Sequence, residues 1–240
     1  MAILSLDGLS TGYNSQILLR DICFSLQSPS LLAIVGNNGC GKSTLLKTIS
    51  GQHDDYQGSI FLSDLDLKNH SLALLNKKLS FLAQHNSITF SISVLEVVVM
   101  GLFSKKKLFE NYSKEDYSKA LSVIKELEID HLAERDYLTL SGGEKQLAWI
   151  AQVLTQDVPI MLFDEPMQHL DIYHRKKIFD LFNKAVYSEQ KTIIFSTHDL
   201  EILKKGSGHL LNLSEHSPEC EKLNPESVDK AVRTLEQKRN

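Results

Sequence analysis

The spacing of apolar residues predicts a protein in which buried strands alternate with helices. Short, mostly apolar runs occur at residues 59–62 (SIFL), 79–83 (LSFLA), 159–163 (PIMLF) and 192–197 (TIIFST), and helical stretches separate them. This alternation is typical of βα units, whose strands form a parallel sheet covered by helices. We therefore expect an α/β core.

Three further apolar runs near the N-terminus also predict strands. They lie at residues 3–9 (ILSLDGL), 22–26 (ICFSL) and 31–35 (LLAIV), and the Gly, Asn, Ser and Pro residues between them favour tight turns. We expect these strands to form a small antiparallel layer beside the parallel core.

Between Ile88 and Leu140 the strand pattern stops and helical spacing replaces it. Within this region Ser113 precedes Asp116 at the spacing of a capping box, directly before a helical pattern. We interpret the region as a helical subdomain, at about residues 88–155, inserted into the α/β core.

Beyond Leu213 the chain becomes polar, yet one apolar stripe continues. Val228, Ala231, Val232 and Leu235 keep i, i+3, i+4, i+7 spacing. This spacing predicts a short C-terminal helix, either packed or frayed.

Composition narrows the classes of function. A chain of 240 residues with 42% hydrophobic content can bury a sizeable core, and we expect one domain over residues 1–213 and a polar segment over residues 214–240. Thirty acidic against 26 basic residues leave a formal charge of −4. This balance gives no electrostatic reason to expect a nucleic-acid partner.

Cysteine usage and hydropathy bear on the compartment. Cys23, Cys40 and Cys220 are widely spaced, which resembles neither a disulfide framework nor a zinc site and favours a reducing cytoplasm. No apolar run approaches the ~20 residues that span a bilayer, and the N-terminus does not look like a signal segment. Any role at a membrane is therefore expected to depend on a partner.

A glycine-rich segment directly after residues 31–35 predicts a phosphate-binding loop. Its residues are Gly36, Asn37, Asn38, Gly39, Cys40, Gly41, Lys42, Ser43 and Thr44, which is the G-x-x-x-x-G-K-S pattern between a strand and a helix. Backbone N–H groups and the helix N-terminus would surround phosphate oxygens, Lys42 would reach the β and γ phosphates, and Ser43 would ligate Mg²⁺. The alternative is a chance glycine-rich turn.

Asp164 and Glu165 follow the apolar run 159–163 and form a second candidate site. A phosphate-binding loop needs a further metal anchor at the end of a neighbouring strand, and Asp164 could hold Mg²⁺ through water. Glu165 could accept a proton from the attacking water. The alternative is that both are ordinary acidic residues at a helix start, favoured by the helix dipole.

His198 follows the apolar run 192–197. The C-terminal ends of strands in α/β sheets carry the ligand-binding loops. We therefore predict that His198 contacts the γ-phosphate and positions the attacking water, although a lone histidine there can be purely structural. The other histidines show no metal-ligand spacing.

Ser141, Gly142 and Gly143 begin an apolar helix, although each glycine in a helical turn costs about 1 kcal/mol relative to alanine. A hydroxyl and bare backbone amides can approach a phosphate closely, and the helix dipole adds to the attraction. The chain already has a phosphate-binding loop. We therefore predict that this second site reads the nucleotide bound to another copy, in a two-fold dimer.

Together with the phosphate-binding loop, LSGGE at residues 140–144 and the Asp-Glu-Pro strand end at residues 164–166 resemble the nucleotide-binding subunit of an ATP-binding cassette (ABC) transporter. The resemblance covers roughly residues 3–213. It implies an α/β P-loop NTPase core with an N-terminal antiparallel β subdomain and an inserted α-helical subdomain. It also implies ATP and Mg²⁺ as cofactors, with ATP hydrolysed between two copies of the chain.

Several residue roles come from the resemblance alone. It implies that Tyr13 stacks on adenine, that Gln84 lies near Mg²⁺ and the lytic water, and that Asp171 is the aspartate of the D-loop. Without the resemblance Tyr13 could equally be a packing aromatic residue, and Gln84 an ordinary loop residue.

Residues 101–121, 147–166 and 170–175 resemble the ATPases of bacterial importers for iron chelates, haem and vitamin B12. This implies a separate transmembrane permease whose coupling helix would enter a groove formed by the insert and the Gln84 segment. It also implies a substrate-binding protein that contacts the permease, and a peripheral location on the cytoplasmic face of the inner membrane. The alternative is a soluble ABC ATPase that acts as an assembly or scaffold factor, for example in iron–sulfur cluster assembly.

Some positions depart from the family pattern. Leu147 stands where many members carry arginine, and Gln168 and His169 replace the common Ser-Ala of the D-loop. These departures bear on dimer contacts and hydrolysis rate, and His169 could contact the partner. For Cys40 we expect a lowered thiol pKa and high reactivity beside the helix N-terminus, the alternative being a small, unreactive packing residue.

Overall fold

The computed structural model describes residues 2–14, 16–107 and 109–237. The expected domain bounds at residues 1 and 240 fall outside this part of the chain. In chain order the strands are β1 Ala2–Tyr13, β2 Gln16–Gln27, β3 Ser30–Val35, β4 Tyr56–Leu62, β5 Leu65–Asp66, β6 Leu79–Leu82, β7 Ile160–Phe163, β8 Thr192–Ser196, β9 Gly208–Asn212 and β10 Cys220–Leu223. They form two separate sheets.

The larger sheet has six strands in the order β10-β9-β3-β8-β7-β6. Its pairs are parallel except for β10, which runs antiparallel to β9 at one edge. The prediction of parallel strands near residues 79–83, 159–163 and 192–197 is confirmed by β6, β7 and β8. Their C-terminal ends lie at one edge of the sheet, where they can carry a shared site.

The smaller sheet is antiparallel, in the order β2-β1-β4-β5. Two strand assignments from the sequence are wrong. Residues 59–62 belong to β4, which pairs antiparallel with β1 rather than in the parallel core, and residues 31–35 belong to β3, which pairs parallel with β8 and β9. Burial explains the difference: every residue of β3 is buried, as in a strand covered on both faces, whereas β4 leaves Phe61 exposed.

The central strand β3 shows how the core is organised. Leu31, Ala33 and Val35 pack into one apolar cluster. Leu32 and Ile34, which point to the opposite face, pack into another. The sheet is therefore covered on both sides, one of them by the antiparallel sheet and α1.

The helices are α1 Lys42–Ile49, α2 Leu72–Leu75, α3 Val94–Val99, α4 Lys114–Glu126, α5 Gly142–Thr155, α6 Ile172–Tyr187, α7 Leu200–Leu203 and α8 Pro225–Gln237. Helices α3, α4 and α5 pack against one another. The predicted capping box begins α4: Ser113 N–H donates to Asp116 Oδ2 at 2.7 Å, and Asp116 N–H donates to Ser113 Oγ at 3.3 Å. Within the described residues no helix has the length and apolar character needed to cross a bilayer.

The C-terminal helix α8 packs against α7, β9 and β10. Val228 and Ala231, from the apolar stripe seen in the sequence, are buried. Lys204, which follows α7, forms an ion pair with Asp229 of α8, with 3.5 Å between Lys204 Nζ and Asp229 Oδ1. The first half of α8 is therefore packed rather than frayed.

Candidate active site

The phosphate-binding loop lies between β3 and α1, at the C-terminal edge of the parallel sheet. Gly41, directly before α1, has a φ of 106°, which glycine adopts without the steric penalty of a side chain. With the exception of Cys40, the predicted loop residues line a cleft of about 900 Å³. Gln84, Glu165 and His198 line the same cleft, so the fold brings most of the predicted site residues together.

Lys42 places a buried positive charge inside the loop. Its Nζ atom donates hydrogen bonds to the carbonyl oxygens of Gly36 at 2.9 Å and Asn37 at 3.3 Å, and it lies 4.0 Å from Glu165 Oε1. A buried ammonium without a nearby acceptor or anion would be costly. The loop carbonyls therefore hold this charge where an anionic ligand would enter.

Asp164 directly follows β7 and is buried. Its Oδ1 atom accepts a hydrogen bond from Ser196 Oγ at 2.7 Å, whereas its Oδ2 atom is buried and has no hydrogen-bond partner among the described residues. A buried carboxylate oxygen without a partner is unfavourable unless a cation or a water molecule satisfies it.

These donors fit Mg²⁺. The ion is usually held by one or two carboxylates together with hydroxyl, water and phosphate oxygens, rather than by a cage of protein ligands. Asp164 supplies the unpaired carboxylate oxygen and Ser43 a hydroxyl at the cleft. Among the described residues no cluster of three or more His, Cys, Asp or Glu side chains could hold a metal.

Glu165 lies at the centre of a polar network. Its Oε1 atom is 2.6 Å from His198 Nε2, and its Oε2 atom accepts a hydrogen bond from Gln84 Nε2 at 3.2 Å. The hydrogen bond from His198 is the main reason why the pKa of Glu165 is lowered, partly offset by burial and assisted by the charge of Lys42. The carboxylate is therefore ionised at neutral pH and able to accept a proton.

The motif Ser141-Gly142-Gly143 lies outside the lining of this cleft. Ser141 is the N-cap of α5 and forms a reciprocal capping box with Glu144. A Cβ atom at Gly143 would lie 3.3 Å from the backbone oxygen of His169, but one at Gly142 would meet no atom within 4 Å. Packing among the described residues thus gives a partial reason for the second glycine and none for the first.

Two residues assigned by resemblance also lie apart from the cleft lining. Tyr13 is 42% exposed at the end of β1, and its ring packs on His53 with the centroids 4.5 Å apart. Asp171 caps α6 by accepting a hydrogen bond from His174 N at 2.8 Å. Tyr13 leaves part of its ring free for another partner, whereas Asp171 already has a structural role.

Comparison with known proteins identifies the family. Residues 19–168 match the family model described as ABC transporter. The chain belongs to the ABC transporter family.

Several relatives of this ABC chain carry specific names. The ferric enterobactin transport ATP-binding protein of Escherichia coli is 33% identical over 86% of this chain and 76% of its own length. The achromobactin transport ATP-binding protein of Dickeya dadantii is 30% identical over 93% of this chain and 83% of its own.

Solved structures agree with the fold. A metal-chelate type ABC transporter in an inward-facing conformation matches with a TM-score of 0.83 and 27% identity, over 99% of this chain and 90% of its own. A dimeric ATP-binding cassette in a post-hydrolysis state with ADP and phosphate matches with a TM-score of 0.82 and 25% identity, over 92% of this chain and 99% of its own. The expected ABC ATPase fold is confirmed, and the chain is an ATPase that binds ATP.

The structure corrects the expectation for Cys40 of this ABC ATPase. Burial raises the pKa of its thiol, and the opposing effect of the Lys42 charge is smaller. A Cβ atom at Gly36 would lie 2.4 Å from Cys40 Sγ, so the thiol packs beneath the loop. The prediction of a lowered pKa was based on the helix N-terminus alone and omitted this desolvation.

The sequence reasoning missed several residues of the cleft. They are Leu18, Gln168, Thr197, Leu200, Val232, Leu235 and Glu236. Thr197 directly precedes His198 and Leu200 lies two residues after it, so the predicted position of His198 was a signal for both. The sequence analysis noted Gln168 only as a departure in the D-loop, but its Oε1 atom accepts a hydrogen bond from Gln84 Nε2 at 3.3 Å.

Proposed function

We propose that this chain is the ATP-hydrolysing subunit of a bacterial ABC importer for an iron chelate, haem, cobalamin or a related metal complex. The support is that its relatives are named for the transport of enterobactin and achromobactin, and that a metal-chelate type transporter shares its fold. The ionised Glu165 carboxylate beside the phosphate-binding loop is the single observation on which the hydrolytic role rests.

In this mechanism the loop amides and Lys42 hold the phosphates of ATP and offset charge that develops on the terminal phosphate. Glu165 accepts a proton from the attacking water. His198 and Gln84 orient the Glu165 carboxylate through their contacts of 2.6 and 3.2 Å, and His198 also contacts the γ-phosphate. Ser43, Asp164 and Gln84 would hold Mg²⁺, which would neutralise phosphate charge.

The complete site would require a second copy of the chain. Ser141, Gly142 and Gly143 would contact the phosphates bound to the partner, since the space where a Gly142 Cβ atom would lie is open within the part of the chain that the structure describes. Within the chain the Ser141 hydroxyl accepts from Glu144 N–H and also bonds to the Glu144 carboxylate, the main reason why the pKa of Glu144 is lowered, so an anion would have to compete with this carboxylate for the hydroxyl. The dimeric relative with ADP and phosphate supports this arrangement.

A groove beside α3 is the proposed docking site for the permease. Leu72, Met100 and Phe103 are among its lining residues, and its volume is about 290 Å³. All three side chains are exposed, Phe103 by 73%, which is unusual for large apolar groups unless a partner covers them. Attached there, the chain would lie on the cytoplasmic face of the inner membrane, and a substrate-binding protein would contact the permease rather than this subunit.

The test is capture of the permease with a tagged chain. After detergent solubilisation of membranes, the tagged chain should co-purify with a polytopic membrane protein, and cells lacking the chain should lose uptake of a radiolabelled ferric siderophore. Phe103→Ser should abolish co-purification while ATP binding persists. Phe61→Ser, a matched change on the antiparallel sheet, should not. A chain that binds no polytopic protein and is dispensable for uptake would instead support a soluble assembly factor.

A further inference from the structure

The last turns of α8 form part of the nucleotide cleft. Val232, Leu235 and Glu236 line it together with the phosphate-binding loop. Val232 and Leu235 are partly buried, although they lie beyond the half of α8 that packs into the core. These side chains therefore face the space that the nucleotide would occupy.

The position of α8 is fixed relative to the phosphate-binding loop. Lys230 forms ion pairs of 3.1 Å with Glu215 and with Glu221 of β10. Ser214, the residue before Glu215, accepts a hydrogen bond from Asn37 N–H of the loop at 2.8 Å. The helix and the loop are thus tied to the same short segment after β9, so the last turns of α8 are held at the cleft.

The chemistry of these residues suits the base of a nucleotide rather than its phosphates. Val232 and Leu235 offer no hydrogen-bond donors, and a carboxylate such as Glu236 would repel phosphate oxygens while it can accept from ribose hydroxyl or exocyclic amino groups. Leu18, from the hairpin that also carries Tyr13, contributes another apolar side chain to the same cleft. Apolar side chains and a flat base together bury surface from water.

We propose that Val232 and Leu235 of α8 form an apolar wall of the cleft that packs against the base of the bound nucleotide and increases its affinity. The wall is built by a segment that carries no nucleotide-binding motif. The proposal deepens the nucleotide site and requires only that the chain binds ATP, not that it serves an importer.

The experiment compares two ligands on two variants of the full chain. Dissociation constants for ADP and for inorganic tripolyphosphate, which lacks base and ribose, are measured by calorimetry. Leu235→Ala should weaken ADP binding about tenfold, as expected for loss of an apolar contact in a pocket, and leave tripolyphosphate binding unchanged. Arg233→Ala, on the exposed side of the same turn, serves as the matched control and should change neither constant.

Any other pattern of dissociation constants contradicts the proposed contact between α8 and the base. Unchanged or tighter ADP binding by Leu235→Ala would mean that α8 makes no favourable contact with the base. Equal weakening of both ligands would mean that the substitution acts on the phosphate-binding loop. Thermal unfolding of each variant shows whether it is folded, and Val232→Ala provides a second, milder truncation of the same wall. Failure of the wild-type chain to bind ADP would instead count against the nucleotide site itself.

Discussion

His198 Nε2 lies 2.6 Å from Glu165 Oε1, much closer to this oxygen than the Lys42 ammonium at 4.0 Å. This contact is the largest cause of the lowered pKa of Glu165. The Glu165 carboxylate therefore stays ionised down to a lower pH than it would without His198. The histidine and the carboxylate therefore form one hydrogen-bonded pair.

The pair predicts a pH effect. His198→Ala should move the acidic limb of the kcat/KM profile to higher pH, because the pKa of Glu165 rises when its partner is lost and the base form then disappears earlier as pH falls. His85 acts on the same carboxylate only weakly, through its charge. His85→Ala should shift the acidic limb less. Identical acidic limbs in the wild type, His198→Ala and His85→Ala would contradict an effect of His198 on the pKa of Glu165.

Replacement of the proposed base should separate binding from hydrolysis. Glu165→Gln keeps the size of the side chain but cannot accept a proton from water, so kcat should fall about a hundredfold or more while ATP binding persists. ATP should then stabilise a dimer on size-exclusion chromatography. Lys42→Ala should weaken nucleotide binding itself. Near-normal turnover by Glu165→Gln would reject Glu165 as the base.

The unpaired oxygen of Asp164 predicts a dependence on metal. Asp164→Asn should raise the Mg²⁺ concentration needed for half-maximal hydrolysis about tenfold or more, as is common when a residue that orients the metal shell is changed. Ser80→Ala is a suitable control because Ser80 Oγ is also buried without a partner among the described residues, but Ser80 lies within β6 and is not one of the residues assigned to Mg²⁺. An unchanged Mg²⁺ requirement in Asp164→Asn would remove this residue from the metal site.

A mixed dimer tests the shared site. Lys42→Ala and Ser141→Arg should each be inactive alone, because they damage opposite halves of every site. Mixing them should restore one intact site per heterodimer, which is detected as phosphate release. A separate assay uses differently tagged versions of the two subunits that also carry Glu165→Gln and measures their ATP-dependent pairing. Background hydrolysis with no excess of heterodimer would show that Ser141 does not read the nucleotide of the partner.

The capping box supplies a control for this experiment. Ser141→Arg also removes the N-cap of α5, at a cost of about 0.5–2 kcal/mol. Ser113→Arg removes the equivalent cap of α4. If Ser113→Arg is equally inactive, the loss in Ser141→Arg reflects helix stability rather than phosphate contact.

The cysteines should differ in reactivity. Burial raises the pKa of Cys40 and raises that of Cys220 to about 11, whereas Cys23 is exposed. Iodoacetamide at neutral pH should therefore modify Cys23 first, and labelling of Cys220 should increase steeply only as pH approaches 11. Peptide mass spectrometry measures each rate. Rapid modification of Cys40 at neutral pH would contradict the effect of burial.

Motifs whose chemistry depends on neighbouring residues in the chain could be predicted from the sequence. The phosphate-binding loop, the Asp164-Glu165 pair and His198 each follow an apolar strand, and parallel strands bring their C-terminal ends to one edge. The pairing of strands was harder to predict. The apolar runs at 31–35 and 59–62 have similar sequences, whereas their pairing depends on which faces of each strand are buried.

Contacts between distant segments could not be foreseen. The spacing of Val232 and Leu235 predicted a helix but not its position beside the cleft, where α8 packs on α7, β9 and β10 and Lys230 adds ion pairs. The pKa of Cys40 likewise depends on the atoms packed around it rather than on the neighbouring helix. Sequence reasoning predicts which residues carry the chemistry, and tertiary packing determines which other side chains line the cleft.

One hydroxyl group joins the Asp164 carboxylate to the backbone of Glu165 at the end of β7. Ser196 Oγ donates to Asp164 Oδ1 at 2.7 Å and accepts from Glu165 N–H at 2.8 Å. Strand β8, which carries Ser196, thereby holds the Asp164 side chain and the Glu165 backbone in one frame. Any motion that opens or closes the site must then come from parts outside this frame, such as the Gln84 segment, the His198 loop or the approaching second subunit.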